Sequence, residues 1–210
     1  MPILIELSLV FGLVLARVWL WQHDLLVIAA ICAAFAVWKH KKYHLRRLGI
    51  RPWPFSKRHW FAMAFIAFLS INTVASIYGF GIIFNSNLTV QSSDLLQLPK
   101  ALAYYFGWAC FQQLWMNGYF GIRLKTMFRH KVHDYLFATC LTNGILFSIV
   151  HIPNLVLFIT TFIGGGLGTY FFFKTRNLYI IALAHAIVAI AIGYFLPNYV
   201  HHNLRIGPGF

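Results

Sequence analysis

Long apolar stretches separated by short polar connections make up most of this chain of 210 residues. Most of these stretches are close to the roughly 20 residues that an α-helix needs to cross the hydrocarbon core of a bilayer. The pattern predicts an all-α fold, a polytopic membrane helix bundle that forms a single domain over residues 1–210. About seven transmembrane segments are expected, at positions 3–20, 24–38, 60–84, 100–121, 135–152, 154–173 and 178–196.

Composition supports a membrane environment. Hydrophobic residues make up 60% of the chain and charged residues 10%, which is more apolar surface than one soluble core of this size can hide. The first stretch, 3–20, lacks a basic leader and a small-residue cleavage site. It is therefore predicted to be a retained helix and not a cleaved signal peptide.

The net charge of +13 is distributed in a way that favours lipid over nucleic acid as a partner. If the N-terminus is cytoplasmic, 14 of the 17 lysines and arginines fall in cytoplasmic loops, at 39–59, 122–134 and 174–177. An excess of Lys and Arg in cytoplasmic loops is the usual asymmetry of membrane proteins, and such loops contact anionic headgroups. We therefore expect membrane lipids as partners, no nucleic acid, and a cytoplasmic N-terminus.

Polar side chains inside the apolar stretches are the candidate functional residues. Gln112, Gln113 and Asn117 lie in the fourth stretch, and Gln113 and Asn117, four residues apart, share one helix face. His151 and His185 lie in later apolar stretches. Ionisable and polar groups at membrane depth are costly and usually functional, so we expect all five to meet in a polar cavity formed by the fourth, fifth and seventh segments.

The order of these residues resembles that of the CPBP family, the CAAX proteases and bacteriocin-processing enzymes. The first motif of that family is Glu-Glu-x-x-x-Arg, and here Gln112-Gln113-x-x-x-Asn117 occupies its place. Gly118 and Tyr119, which follow, also suit the family. Both motif glutamates are thus replaced by glutamines.

The later motifs of the family, Phe-x-x-x-His and His-x-x-x-Asn/Asp, are retained in part. The first of them is present as Phe147-x-x-x-His151. The second keeps His185 but has Ala189 where the family has an amide or carboxylate. The resemblance covers roughly residues 100–190.

The resemblance implies an intramembrane endopeptidase that cleaves a peptide or prenylated protein in a plasma membrane of bacterial type. Gln112, Gln113, Asn117, His151 and His185 would form its site, and no cofactor is expected. Glutamine can orient water but cannot take its proton, so an active enzyme would need a histidine as its base. The alternative is an inactive relative that binds a peptide, lipid or partner helix.

Other catalytic groups are less well supported by the sequence. Of the four acidic residues, Asp134 is expected to cap the fifth helix, and the others, Glu6, Asp24 and Asp94, fall near segment ends or in loops. Cys110 lies near the face of Gln113, but a thiol in lipid is a poor nucleophile.

A metal site is not expected. Histidine pairs at 40 and 44, 130 and 133, and 201 and 202 resemble the histidine boxes of di-iron oxygenases, but the predicted topology puts the last pair on the opposite side of the membrane. No carboxylate accompanies His151 and His185, so we predict no tightly bound metal.

Depth is a constraint on the predicted cavity. At about 1.5 Å per residue, Gln113 and His185 lie about 13 and 10 Å from the inner ends of their segments, and His151 lies about 24 Å from its own. Residues that share a cavity must be level. The fifth helix is therefore expected to begin in the cytoplasmic interface or to be strongly tilted, unless His151 belongs elsewhere.

Overall fold

The computed structural model describes residues 3–21, 24–40, 44–50, 57–84, 92–201 and 204. Within these ranges the regular structure is entirely helical. The helices are α1 (Ile3–Ala16), α2 (Asp24–His40), α3 (Lys57–Phe84), α4 (Ser92–Gln113), α5 (Ile122–Phe128), α6 (Tyr135–Ile149), α7 (Leu155–Thr175), α8 (Leu178–Phe195) and α9 (Asn198–His201). π-Helical segments follow α1 (Arg17–Trp21) and α4 (Leu114–Gly121), and a 3₁₀ turn spans Leu45–Leu48. The all-α prediction is confirmed.

Four helical stretches in the described ranges are long and apolar enough to cross a membrane: Ile3–Leu20, Trp60–Ile83, Leu155–Thr175 and Leu178–Phe195. Large apolar side chains project outward from them, for example Phe61, which is 80% exposed, and Ile83, which is 76% exposed. Such a surface is favourable in contact with lipid, whereas soluble proteins rarely expose so much apolar area to water. The predicted count of seven spans and the orientation remain predictions.

Two groups of helices pack against the central helix, which is formed by α4, the π-helical segment Leu114–Gly121 and α5. One group contains α3, α6, α7 and α8, and the other contains α1 and α2. Helices α4 and α3 both pack against α8, and α6 packs against α7. On the other side, α1 and α2 pack together and cover the π-helical segment, where Met116, Tyr119 and Phe120 are buried against Leu7 and Val10. The candidate residues on α4 are therefore held between both groups.

The central helix continues beyond its predicted end. A loop was expected at 122–134, but α4, the π-helical segment and α5 follow one another without a break as far as Phe128. The assignment of Arg123 to an exposed loop is wrong, because this residue is only 3% exposed. Its burial has a specific cause, which is an ion pair with the N-terminal helix.

Glu6 of α1 is the acidic partner of Arg123. The Arg123 Nε donates to Glu6 Oε1 at 2.7 Å, and its Nη2 pairs with Glu6 Oε2. Tyr119 Oη also donates to Glu6 Oε1, at 3.0 Å. This bidentate pair satisfies two charges that would be very costly to bury alone. It connects α1 to the central helix across 117 positions of sequence.

Helix ends follow the local chemistry of the sequence. Asp134 accepts from the Phe137 backbone N–H at 3.2 Å, which confirms the predicted cap of α6. Asn154, just after Pro153, caps α7 by accepting from Leu157 N–H. Asn177 caps α8 in the same way. The proline therefore lies in a tight return between two helices.

Glycines allow α6 and α7 to pack closely. A Cβ added at Gly144 would lie 2.7 Å from the Phe162 carbonyl oxygen, and one at Gly165 would lie 3.3 Å from Gly144 Cα. Helix α7 runs unbroken through its glycines. These glycines therefore serve close helix packing and do not break the helix.

We expect Gly144→Ala to destabilise the protein by about 1–3 kcal/mol, because the new methyl group meets backbone and not a mobile side chain. Unfolding in a sodium dodecyl sulfate titration, followed by circular dichroism, measures the change. Gly193→Ala is the matched control, since a Cβ there meets nothing within 4 Å. It should be neutral or stabilising, and equal losses in both variants would contradict the packing argument.

We expect Glu6→Ala to cost about 3–5 kcal/mol in the same titration, because it leaves Arg123 buried without its carboxylate. Combining Glu6→Leu with Arg123→Leu should recover most of the loss, since no buried charge remains. Arg129→Ala removes an exposed cation from the same chain region and serves as the control. A double variant as unstable as Glu6→Ala would contradict this account.

Candidate functional site

A cavity of about 360 Å³ lies among α3, α4, α7 and α8, with the end of α6 at one side. Its walls are largely apolar and aromatic, and they include Ile66, Trp108, Leu167, Phe171, Ile181 and Val188. The prediction named the fourth, fifth and seventh segments as its walls. The structure adds α3 and α7, which supply much of the apolar lining. The cavity is thus a mainly apolar space with a polar group at one part of its wall.

That polar group contains four of the five predicted site residues. Gln112, Gln113, His151 and His185 all line the cavity. The fifth, Asn117, is 2% exposed and lies one helical turn from Gln113, to which it is hydrogen-bonded. Asn117 therefore supports the cavity wall from behind and does not line it.

His151 lies with the other site residues despite its predicted difference in depth. It follows the end of α6, and the Phe147 ring lies 6.0 Å from the His151 ring and 5.6 Å from the His185 ring, centre to centre. Phe147 thus separates and positions the two imidazoles. The alternative in which His151 lies elsewhere is excluded.

A directional chain of hydrogen bonds leads to His185. Asn117 Nδ2 donates to Gln113 Oε1 at 2.5 Å, and Gln113 Nε2 lies 3.0 Å from His185 Nδ1. An amide nitrogen can only donate, so Nδ1 is the acceptor and the proton of the neutral imidazole is on Nε2. The chain therefore fixes His185 as a hydrogen-bond donor through Nε2.

Two residues that were not among the predicted site residues begin this series of hydrogen bonds. Asn143 of α6 donates to Asn117 Oδ1 at 3.2 Å and to Thr169 Oγ1 at 2.7 Å, and Thr169 of α7 donates to Asn117 Oδ1 at 2.8 Å. Both are at most 1% exposed. Each is a polar residue inside an apolar stretch, and that signal could have found them.

The chemistry of the cavity is limited by the absence of an acid. No carboxylate of the described residues lines it, so an imidazole is the available base. Ala189 does line it, at the position where the CPBP pattern has an amide or carboxylate, and leaves that part of the wall apolar. Cys110 instead packs near Ala109, Ala182 and Ala186, outside the cavity lining, which removes support for a Cys–His hydrolase.

Metal-binding geometry is also absent from the described part of the chain, where no group of three or more His, Cys, Asp or Glu side chains could hold an ion. Of the three histidine pairs, His202 lies outside the described residues. The prediction that the protein holds no tightly bound metal remains a prediction.

We expect Asn117→Ala to lower the free energy of unfolding by about 1–3 kcal/mol, because Gln113, Asn143 and Thr169 each lose a buried partner. Detergent unfolding measures this loss. Asn72→Ala is the control, since the Asn72 amide is exposed and donates to a carbonyl of its own helix, Phe68 O, at 2.8 Å. Equal effects of the two substitutions would show that the buried hydrogen bonds of Asn117 add little to the free energy of unfolding.

Comparison with known proteins adds no assignment. A scan against protein-family models and searches of curated proteins and of solved structures all returned no match.

Proposed function

We propose that this chain is an intramembrane endopeptidase of the CPBP type that acts on a peptide or prenylated protein. The observation that carries the proposal is the convergence of His151, in the turn after α6, and His185, on α8, on the cavity that Gln112 and Gln113 line. Two histidines and two glutamines at one cavity inside an apolar bundle would be costly without a use. Their order along the chain is also the order of the CPBP motifs.

The proposed mechanism assigns different tasks to the two histidines. His185 carries its proton on Nε2, and this N–H suits it to stabilise the oxyanion that forms when a peptide carbonyl is attacked. His151 then takes the proton of the attacking water and returns it to the leaving amine. Gln112 and Gln113 orient the water and the imidazoles but transfer no proton.

The walls of the cavity support the proposed substrate class. Ligand sites of a few hundred Å³ that are lined mainly by aromatic and aliphatic side chains bind apolar groups, and their few polar groups fix the ligand's orientation. Here Trp108 and Phe171 belong to the apolar lining, whereas the histidines and glutamines supply the polar part. A prenyl chain or an apolar peptide segment next to a scissile amide has this distribution of polarity.

A second function is favoured by the hydrogen bonding of Gln113. Its carboxamide is engaged on both sides, accepting from Asn117 and donating to His185, and it has no basic atom. A site arranged in this way can bind a carbonyl group without hydrolysing it. The second candidate is therefore an inactive CPBP relative that binds a peptide, lipid or partner helix for regulation or immunity.

A cleavage assay in liposomes distinguishes the two functions. The protein is incubated with a peptide library that includes prenylated CAAX peptides, and products are identified by mass spectrometry. We expect cleavage by the protein with its own sequence and a loss of about 10²-fold or more in His151→Gln, because the general base is removed. Thr160→Val, which changes another cavity-lining residue, is the matched control and should retain activity.

The double variant Gln112→Glu, Gln113→Glu completes the assay. Cleavage by this variant but not by the protein with its own sequence would contradict the histidine mechanism. It would favour a binding protein that has the fold of a protease. Binding of a fluorescent prenylated peptide, without cleavage in any variant, would support the second function. Neither binding nor cleavage of any library member would overturn both.

A further inference from the structure

A cluster of cations lies outside the cavity lining, where three stretches that are far apart in sequence meet. The short segment 44–50 contacts the turn between α7 and α8, because Leu178 N–H donates to Gly49 O at 3.0 Å. Gly49 has φ +82°, and a Cβ there would lie 2.6 Å from a Phe172 ring carbon. Glycine thus permits the contact. The cations of the cluster are Lys125, Arg129, Lys174 and Arg176, and Arg176 Nη1 also lies 3.5 Å from the Arg47 carbonyl oxygen.

Two of these cations converge on one aromatic ring. Lys125 Nζ lies 4.4 Å from the centre of the Phe173 ring, and the Arg176 guanidinium carbon lies 4.9 Å from the same centre. Lys125 is also 5.7 Å from the Tyr135 ring, and Arg176 is 5.6 Å from Phe172. Both cations therefore lie within about 5 Å of the Phe173 ring centre, and the positive charge of Arg176 acts on Lys125.

In the part of the chain that the structure describes, neither Lys125 nor Lys174 forms an ion pair with a carboxylate. Glu6 is paired with Arg123, and Asp134 caps α6. Burial lowers the pKa of Lys125, and the nearby positive charges of Arg176 and Arg129 lower it further. The positive charge is thus partly buried and concentrated, which is the electrostatic condition for binding an anion.

We propose that Lys125 and Arg176 form a binding site for the phosphate of an anionic phospholipid headgroup. A phosphate that reaches both groups would accept from the guanidinium fork and from the ammonium, and both are strong charge-assisted hydrogen bonds. Tyr170 of α7 and Tyr179 of α8, which are 40% and 42% exposed, lie on either side of the turn that contains Arg176. Aromatic residues of this kind occur at the headgroup level of membranes, which favours a lipid over a free phosphate ion.

The test uses the full-length chain purified in a mild non-ionic detergent. Its thermal unfolding is followed while short-chain phosphatidylglycerol or phosphatidylcholine is titrated in. We expect phosphatidylglycerol to raise the unfolding temperature and phosphatidylcholine to have little effect. Lys125→Gln and Arg176→Gln should each weaken the apparent affinity about tenfold, since each removes a charge-assisted contact. Lys125→Arg keeps the charge and should retain most of the affinity.

The control variant is Lys131→Gln, which removes an exposed cation from the loop between α5 and α6. Its affinity should be nearly unchanged. If it weakens binding as much as Lys125→Gln, the attraction is a diffuse surface effect and the proposal fails. Inorganic phosphate is titrated in parallel. A shift equal to that of phosphatidylglycerol, lost in the same variants, would overturn the lipid assignment in favour of a free phosphate site.

Discussion

A polar group buried in an apolar helix bundle must find a partner, and this constraint determines how the helices of this protein are arranged. Hydrocarbon offers no hydrogen bonds, so each unsatisfied group costs several kcal/mol. A single chain of hydrogen bonds joins Asn143 on α6, Thr169 on α7, Asn117 and Gln113 on the central helix, and His185 on α8, although Asn143 Oδ1 is left without a partner. Four helices are thereby held in one register around the end of the cavity.

Close packing of the α6 and α7 backbones makes this series of hydrogen bonds possible. The Asn143 amide reaches Thr169 at 2.7 Å because α6 and α7 approach closely where Gly144 faces the Phe162 carbonyl. The ion pair between Glu6 and Arg123 then secures α1 against the same central helix, beyond the π-helical segment. Single-turn π-helical insertions are often associated with functional sites, and here the π-helical segment begins directly after Gln113. Packing and polar pairing therefore act on the same residues.

The features that depend on neighbouring residues were predictable from the sequence, and so was the meeting of Gln113, His151 and His185 at one cavity, which the polar pattern and the motif order indicated. The other contacts between distant residues were not predictable. The shared face of Gln113 and Asn117, the Asp134 cap and the return at Pro153 all follow from helix geometry over a few positions. Glu6 and Arg123 are 117 positions apart, and no local pattern indicates that they pair. Asn143 and Thr169 were visible as polar residues in apolar stretches, but their common partner appears only when three helices are packed. The walls from α3 and α7 were missed because apolar lining residues look like lipid-facing ones.

A carboxamide at position 113, where the CPBP pattern has a glutamate, has an effect beyond the lack of a base. A glutamate there would be an acceptor for both Asn117 and His185, so His185 would have to carry its proton on Nδ1 and present a basic Nε2. With Gln113 donating to Nδ1, the neutral imidazole must carry its proton on Nε2 instead. The same histidine thus changes from a potential base into a donor, although no atom of it has been altered. For this reason proton transfer in the proposed mechanism falls to His151, and Gln113→Glu would change the role of His185 as well as restoring an acid.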